Sequence, residues 1–438
     1  MNRNAFLKQS TLAGFGLWAS GGRIWAAGRT GKPLVVPVRP LTTGPQFHWF
    51  GYYDKLQFDP TNRYVLGMQV NFEGRSPTAD DVIKIGVVDL QRKDKWIELG
   101  ESRAWGWQQG CMLQWIPGHA SSGPRSEVIW NDRIGNQYVS HIVDVATRKK
   151  RTLPKAIYAL SPDGKWGIGT EFSRIQDLRP GYGYAGIRDP FYDEKAPKAI
   201  GLYRIDLQTG DTKLLMSLAE AAEMLHNGQS VADNFHWFNH LLVNTDGTRL
   251  TFLHRWRAKR EDRQVMARTN FVTRMFTMNP DGSDRFIIDP SGFTSHFVWR
   301  DPTHICAFTK PEGQPQSFYI LEDKTGRIDR IPTDKMPVNG HQTYVPGRDN
   351  QWLLNDNYAG AKDRNQTPYL YHLPTDRRID LGSFPAGESY VGEWRCDLHP
   401  RNSNDGNFVC IDSTHGGNGR QLYLLDLRPI WEQELAKR

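Results

Sequence analysis

Short runs rich in apolar residues with polar ones set among them, each closed by a turn, recur along the whole chain. The clearest is Phe235-His236-Trp237-Phe238-Asn239-His240-Leu241-Leu242-Val243, which passes through Asn244-Thr245-Asp246-Gly247 and returns as Leu250-Thr251-Phe252-Leu253-His254. Short apolar-rich runs bounded by Asp-Gly turns predict strands joined by hairpins. Further strands read at 85–90, 142–145, 202–207, 275–279, 318–322, 369–373 and 422–427, with Ser161-Pro162-Asp163-Gly164 and Asn279-Pro280-Asp281-Gly282 among the turns.

These strands group into seven modules, near 47–99, 105–153, 156–215, 235–290, 294–333, 340–382 and 392–430. A period of roughly 40 to 60 residues with about four strands per unit is the mark of a β-propeller. The predicted fold class is therefore all-β: a single seven-bladed β-propeller over 47–430 with four-stranded blades. One helical insertion is expected at 217–225, with a Pro-rich lead-in at 29–46 and a tail at 431–438. Composition agrees, since 15 Trp, 16 Tyr and 20 Phe beside 41 Gly and 26 Pro favour many short strands.

Residues 1–28 read as an address rather than as fold. Arg3-Asn4-Ala5-Phe6-Leu7-Lys8 precedes a weakly apolar stretch and Ala26-Ala27-Gly28, so an export signal is expected, resembling the twin-arginine type with Asn4 in place of the second arginine. That places the mature protein in the periplasm or outside the cell, and no later apolar run is long enough for a membrane span. The formal charge of +7 favours an anionic partner. Its densest run, Arg148-Lys149-Lys150-Arg151, lacks any nucleic-acid motif and reads as a solvated edge. Four cysteines show no paired-ligand spacing; Cys396 and Cys410 fall on neighbouring strands, where either a bridge or two buried thiols fits.

His240 stands six residues before Asp246, and His399 six before Asp405. His296, His341 and, in the first module, Asp54 fit the same frame around looser turns. The strand before such a turn is the innermost of its blade, so these residues are expected to converge on one end of the central channel. Phe47-His48-Trp49-Phe50-Gly51-Tyr52-Tyr53-Asp54-Lys55 adds aromatic and charged groups to that rim, and Trp105-Gly106-Trp107-Gln108-Gln109 offers stacking and hydroxyl recognition. Polar groups gathered at a propeller mouth suit a ligand; the plainer reading is hydrogen bonding to channel water and to neighbouring blades.

The inner strand carrying His240, Phe276-Thr277-Met278-Asn279-Pro280-Asp281-Gly282, Ser295-His296-Phe297-Val298-Trp299, His399-Pro400 and Arg420-Gln421-Leu422-Tyr423-Leu424 together resemble the oligogalacturonate lyases. The likeness covers about the last 200 residues, and the first three blades are similar only in a general TolB-like style. It implies a lyase that cleaves an acidic, uronic-acid-containing oligo- or polysaccharide by β-elimination with a divalent metal, typically manganese, with calcium or zinc as alternatives. By the resemblance His240 is the base, and His296 and His399 are metal ligands. The family carries Gln-x-x-His-x-His where this chain has Trp394-Arg395-Cys396-Asp397-Leu398-His399, so Asp397 would replace one ligand and the glutamine has no counterpart. His341 or Gln342 would complete the set.

Arg204 lies where the family's functional arginine falls. Arg188, in an aromatic loop, is a second candidate, with Arg395 and Arg420 further ones. His48, Tyr53, Asp54, Lys55, His236 and His254 are the candidate substrate contacts. The competing reading is a TolB-like propeller that binds glycan or protein without turnover. A hydrolase is disfavoured because no second inner-strand carboxylate accompanies Asp54.

Overall fold

In the computed structural model, residues 36–120, 123–261 and 270–436 are described. They form seven four-stranded antiparallel sheets. The first blade runs Phe47–Trp49, Tyr64–Val70, Ile83–Asp89 and Lys95–Ser102 in spatial and chain order alike. Blades 2 to 6 begin at Gln114, Ala159, Phe235, Phe297 and Thr343, and each again places its first strand at one edge. The expected export signal at 1–28 lies outside the described residues.

The seventh blade departs from the expected boundaries. Its sheet runs Val38–Pro40, Gln421–Asp426, Phe408–Ser413 and Arg401–Asn402, so the segment read as a lead-in supplies its outer strand. Val38 faces Leu425, and the Leu41 N–H donates to the Leu422 carbonyl at 2.8 Å. The pairing gives the last blade its fourth strand and ties the two ends of the propeller together.

Apolar residues of adjacent blades merge into continuous layers, one joining Trp49, Leu66, Val87, Trp130 and Leu422. Trp105 and Trp107 belong to this layer, at 5.6 and 5.3 Å from Trp49, so the expected sugar-stacking role does not apply to them. The helix Leu218–Glu223 forms where expected, opened by a reciprocal capping box of Ser217 and Glu220. Two further helices, Phe172–Leu178 and Arg428–Leu435, were not expected; the second buries Ile430 and Trp431 and occupies the predicted tail. The four cysteines are buried and unpaired, so Cys396 and Cys410 form no bridge. Among the described residues no helix is long and apolar enough to cross a membrane.

Candidate functional site

The innermost strand of blade 4, Phe235–Val243, carries a bulge at its centre. Asn239 faces Leu253 and Leu242 faces Thr251, which leaves His240 and Leu241 opposite a single residue. His240 takes φ 53° there. That left-handed conformation costs about 1–3 kcal/mol, and the bulge re-aims a side chain that alternation alone would misplace. His399 holds φ 42° in blade 7, so two of the four rim histidines sit on strained backbone.

The partners of His240 fix its tautomer. Nε2 lies 3.2 Å from Asp54 Oδ2 and 3.3 Å from the Tyr53 hydroxyl, whose own hydrogen goes to the Phe297 carbonyl at 3.0 Å. Both neighbours accept, so Nε2 carries the proton and Nδ1 is the acceptor. Nδ1 faces the Tyr52 hydroxyl at 3.3 Å. Burial raises the Asp54 carboxyl, but the Lys55 ammonium at 2.8 Å and His240 outweigh it and hold the group ionised. Burial also lowers His240, against Asp54, to about 4, which keeps the imidazole neutral at neutral pH.

Three more histidines close the rim. His341 and His399 ring centroids lie 4.3 Å apart, and those of His296 and His341 4.5 Å apart. His341, Asp397 and His399 bring one ligand atom each within 4.8 Å of one another, all buried. Asp356 accepts from His341 Nδ1 at 2.9 Å, and Asn339 Oδ1 accepts from His296 Nδ1 at 3.1 Å. Each pairing turns Nε2 into the ligating nitrogen, the usual outer support of a metal-bound imidazole. The His341 and His399 imidazoles with the Asp397 carboxylate, His341 carrying that outer support, fit a divalent ion. Arg395 works against it by donating to Asp397 Oδ2 at 2.7 Å.

A cavity of about 300 Å³ opens beside this cluster, lined by Tyr52, His296 and Tyr358 together with Arg179, Arg255 and Arg395. Tyr182 also lines it, carried on an insertion between the second and third strands of blade 3. The helix Phe172–Leu178 opens that insertion, and Phe172 stacks on Tyr184 with ring centroids 4.2 Å apart. Gly183 approaches so closely that a Cβ would meet the Phe172 carbonyl at 2.3 Å. Gly181, at φ 91°, turns the chain the other way, so the pair holds Tyr182 toward the channel. Arg179 lies over the Tyr182 ring at 3.9 Å, and Arg395 donates to its hydroxyl at 3.1 Å. Gln108, expected to read hydroxyls, instead donates to the Glu393 and Arg395 carbonyls at 2.8 and 3.2 Å and so steadies Arg395.

The structure thus brings together His240, Tyr53, Asp54, Lys55, His296, His341, Asp397 and His399, with Tyr53, Asp54 and Lys55 buried beneath the rim rather than facing the cavity. Other candidates lie elsewhere. Arg204 is on the third strand of blade 3, over the Trp166 ring at 4.8 Å. Arg188 stacks on Tyr192 at 4.3 Å and lines a separate cavity of about 260 Å³. His48 sits between Gln421 at 3.1 Å and Gln69 at 2.8 Å, and Arg420 donates to the Trp394 carbonyl at 2.8 Å. His236 and His254 bond to each other at 2.8 Å in the interior of blade 4, where Arg274 donates to His254 at 3.1 Å.

No family model matches the sequence. No curated protein matches it either. Among solved structures, the fold is similar to an oligogalacturonate lyase in complex with manganese, at TM-score 0.61 and 15% identity, over 90% of this chain and 96% of that one. It is also similar to an oligogalacturonate lyase from Vibrio parahaemolyticus, at TM-score 0.60 and 14% identity, over 91% and 98% of the two chains. At these identities the likeness is one of fold, the seven-bladed propeller.

Proposed function

We propose that this protein is a lyase that cleaves a uronic-acid-containing oligo- or polysaccharide by β-elimination. The observation that carries the reading is the cavity in which Arg179, Arg255 and Arg395 share the lining with His296, beside the cluster that His296 forms with His341 and His399. Three guanidiniums in one partly enclosed space suit a carboxylate, and they stabilise the charge that grows on it as the neighbouring carbon loses its proton. His240 is the base. Its acceptor nitrogen sits behind the Tyr52 hydroxyl, so the C5 proton passes to the imidazole through that hydroxyl, while Asp54 steadies the cation that forms. The electron pair then makes the C4–C5 double bond as the C4–O bond breaks.

His341, Asp397 and His399, with His296 beside them, are the residues that would hold a divalent metal. When bound, that ion supplies further neutralisation of the carboxylate. Manganese is the ion of a lyase that shares the fold, and it is our first choice. We further propose that the protein acts after export, on the character of residues 1–28.

The test is a screen of pectic, glucuronan, ulvan-like and alginate oligomers for the ultraviolet absorbance of the unsaturated product, with His240→Asn beside the wild type. Asparagine tolerates the left-handed backbone, so the fold is kept. Turnover should fall by roughly 100-fold or more; an undiminished variant removes His240 from the reaction. A second reading is a propeller that binds an acidic glycan without turnover, which the hold of Arg395 on Asp397 favours. Stoichiometric metal, stripped together with activity by a chelator, separates the two.

A further inference from the structure

The departing sugar oxygen must gain a proton, and the reaction above leaves its source open. The arginines cannot supply it at neutral pH. The Tyr52 hydrogen is directed at His240 Nδ1, 3.3 Å away. Tyr358 stands 3.4 Å from Nε2 of both His296 and His341, within the reach of the metal cluster. Tyr182 is different. Its phenol is 7% exposed, lines the cavity, and accepts rather than donates in its bond from Arg395.

We infer that Tyr182 is the general acid of the elimination, handing its phenolic proton to the oxygen that leaves C4; this rests on the lyase reading. The charged groups around it suit the role. Arg179 over the ring, Arg395 on the hydroxyl and Arg255 on the same wall all stabilise a phenolate, whereas burial and Asp397 behind Arg395 oppose it. The cations win, bringing the phenol down to about 7, while burial drives Tyr52 well above the usual tyrosine range. Two phenols on one cavity with acidities pushed apart mark a proton donor and a group that stays protonated.

The atoms balance without a co-reactant. The C5–H bond breaks and its proton goes through Tyr52 to His240; its electron pair becomes the double bond. The C4–O bond breaks with its pair on oxygen, which takes the Tyr182 proton. The resulting phenolate and imidazolium are restored when cavity water carries the proton from one to the other.

The test pairs Tyr182→Phe with two substrates: the cleaved oligomer, and a uronate carrying a nitrophenyl group on O4, whose phenolate leaves without help. The ring that Arg179 covers is kept. We expect turnover of the oligomer to fall by roughly 100-fold or more, and turnover of the aryl substrate to stay within about fivefold. In deuterated water the variant should exchange C5–H without cleaving. Equal losses on both substrates in a variant with native circular dichroism would reduce Tyr182 to a positioning residue and overturn the proposal. So would an oligomer turnover within about fivefold of wild type, and the lyase reading would then stand. Wild type that neither cleaves nor exchanges any uronate overturns both. Should Tyr182→Phe not fold, fluorotyrosine at 182 replaces it: a more acidic donor must move the alkaline limb of kcat/KM to lower pH, and an unmoved limb rejects the acid.

Discussion

On the proposed metal site, replacing Asp356 by asparagine should weaken the binding of a divalent ion, with manganese as the probe, without touching any ligand. Asp356 is fully buried, and its Oδ1 accepts from the His341 backbone N–H at 2.8 Å and from Nδ1 at 2.9 Å, with Oδ2 3.0 Å from the same ring nitrogen. In Asp356→Asn the amide oxygen can take the place of Oδ1, which puts the amide NH₂ against the Nδ1 hydrogen. Relief comes from moving the ring proton to Nε2, the atom that would face the ion. Loss of such support typically lowers affinity 10- to 100-fold, or about 1.4–2.7 kcal/mol. Calorimetric titration of manganese into chelator-stripped protein reads this directly. Asp301→Asn is the control, because Asp301 holds the part-exposed His304 at 2.8 Å on a turn of blade 5 and should leave affinity unchanged. Wild-type affinity in Asp356→Asn would refute the assignment of His341 as a ligand.

Two further outcomes follow from burial and from ring closure. Burial holds His236 and His240 at about 4, and His254 and His399 well below their ordinary 6.5. The unfolded chain therefore binds protons that the folded one refuses, so the histidines' contribution to stability is complete above pH 6.5 and is lost as pH drops through the window toward 4. An unfolding midpoint as high at about pH 5 as at about pH 7.5 would contradict this linkage. Removing everything through Pro40 takes away the outer strand of blade 7 and bonds such as Asp426 N–H to the Pro37 carbonyl at 2.9 Å. At about 0.5–1.5 kcal/mol each, these sum to a few kcal/mol. A urea midpoint equal to that of the full chain would show that the strand does not hold the ring.

The blades were legible because most repeat a local rule, a short apolar-rich strand closed by a turn containing Asp or Asn, that needs no tertiary information. The strand Val38–Pro40 was not, since its three residues are exposed and read like a Pro-rich approach. The rim histidines were legible through their offset from those turns, although alternation could not foresee the bulge at His240. The arginines were harder. Arg188 and Arg179 border the same loop, and only the packing of Gly183 on the helix before it decides which end meets the channel. Arg255 carried a faint signal: it alternates with the buried His254 on one strand and so points to the opposite face. His236 and His254 looked like substrate contacts, but their nearest polar partners were each other.

The pairing of Val38–Pro40 with Gln421–Asp426 also governs when the protein can become itself. Six sheets can assemble as the ribosome delivers them, but the last stays a three-legged stool until the earliest and latest stretches of the polypeptide find each other. Contacts of such long range form slowly. Whatever occupies the segment just ahead of residue 38 during biogenesis therefore has a veto over the clasp.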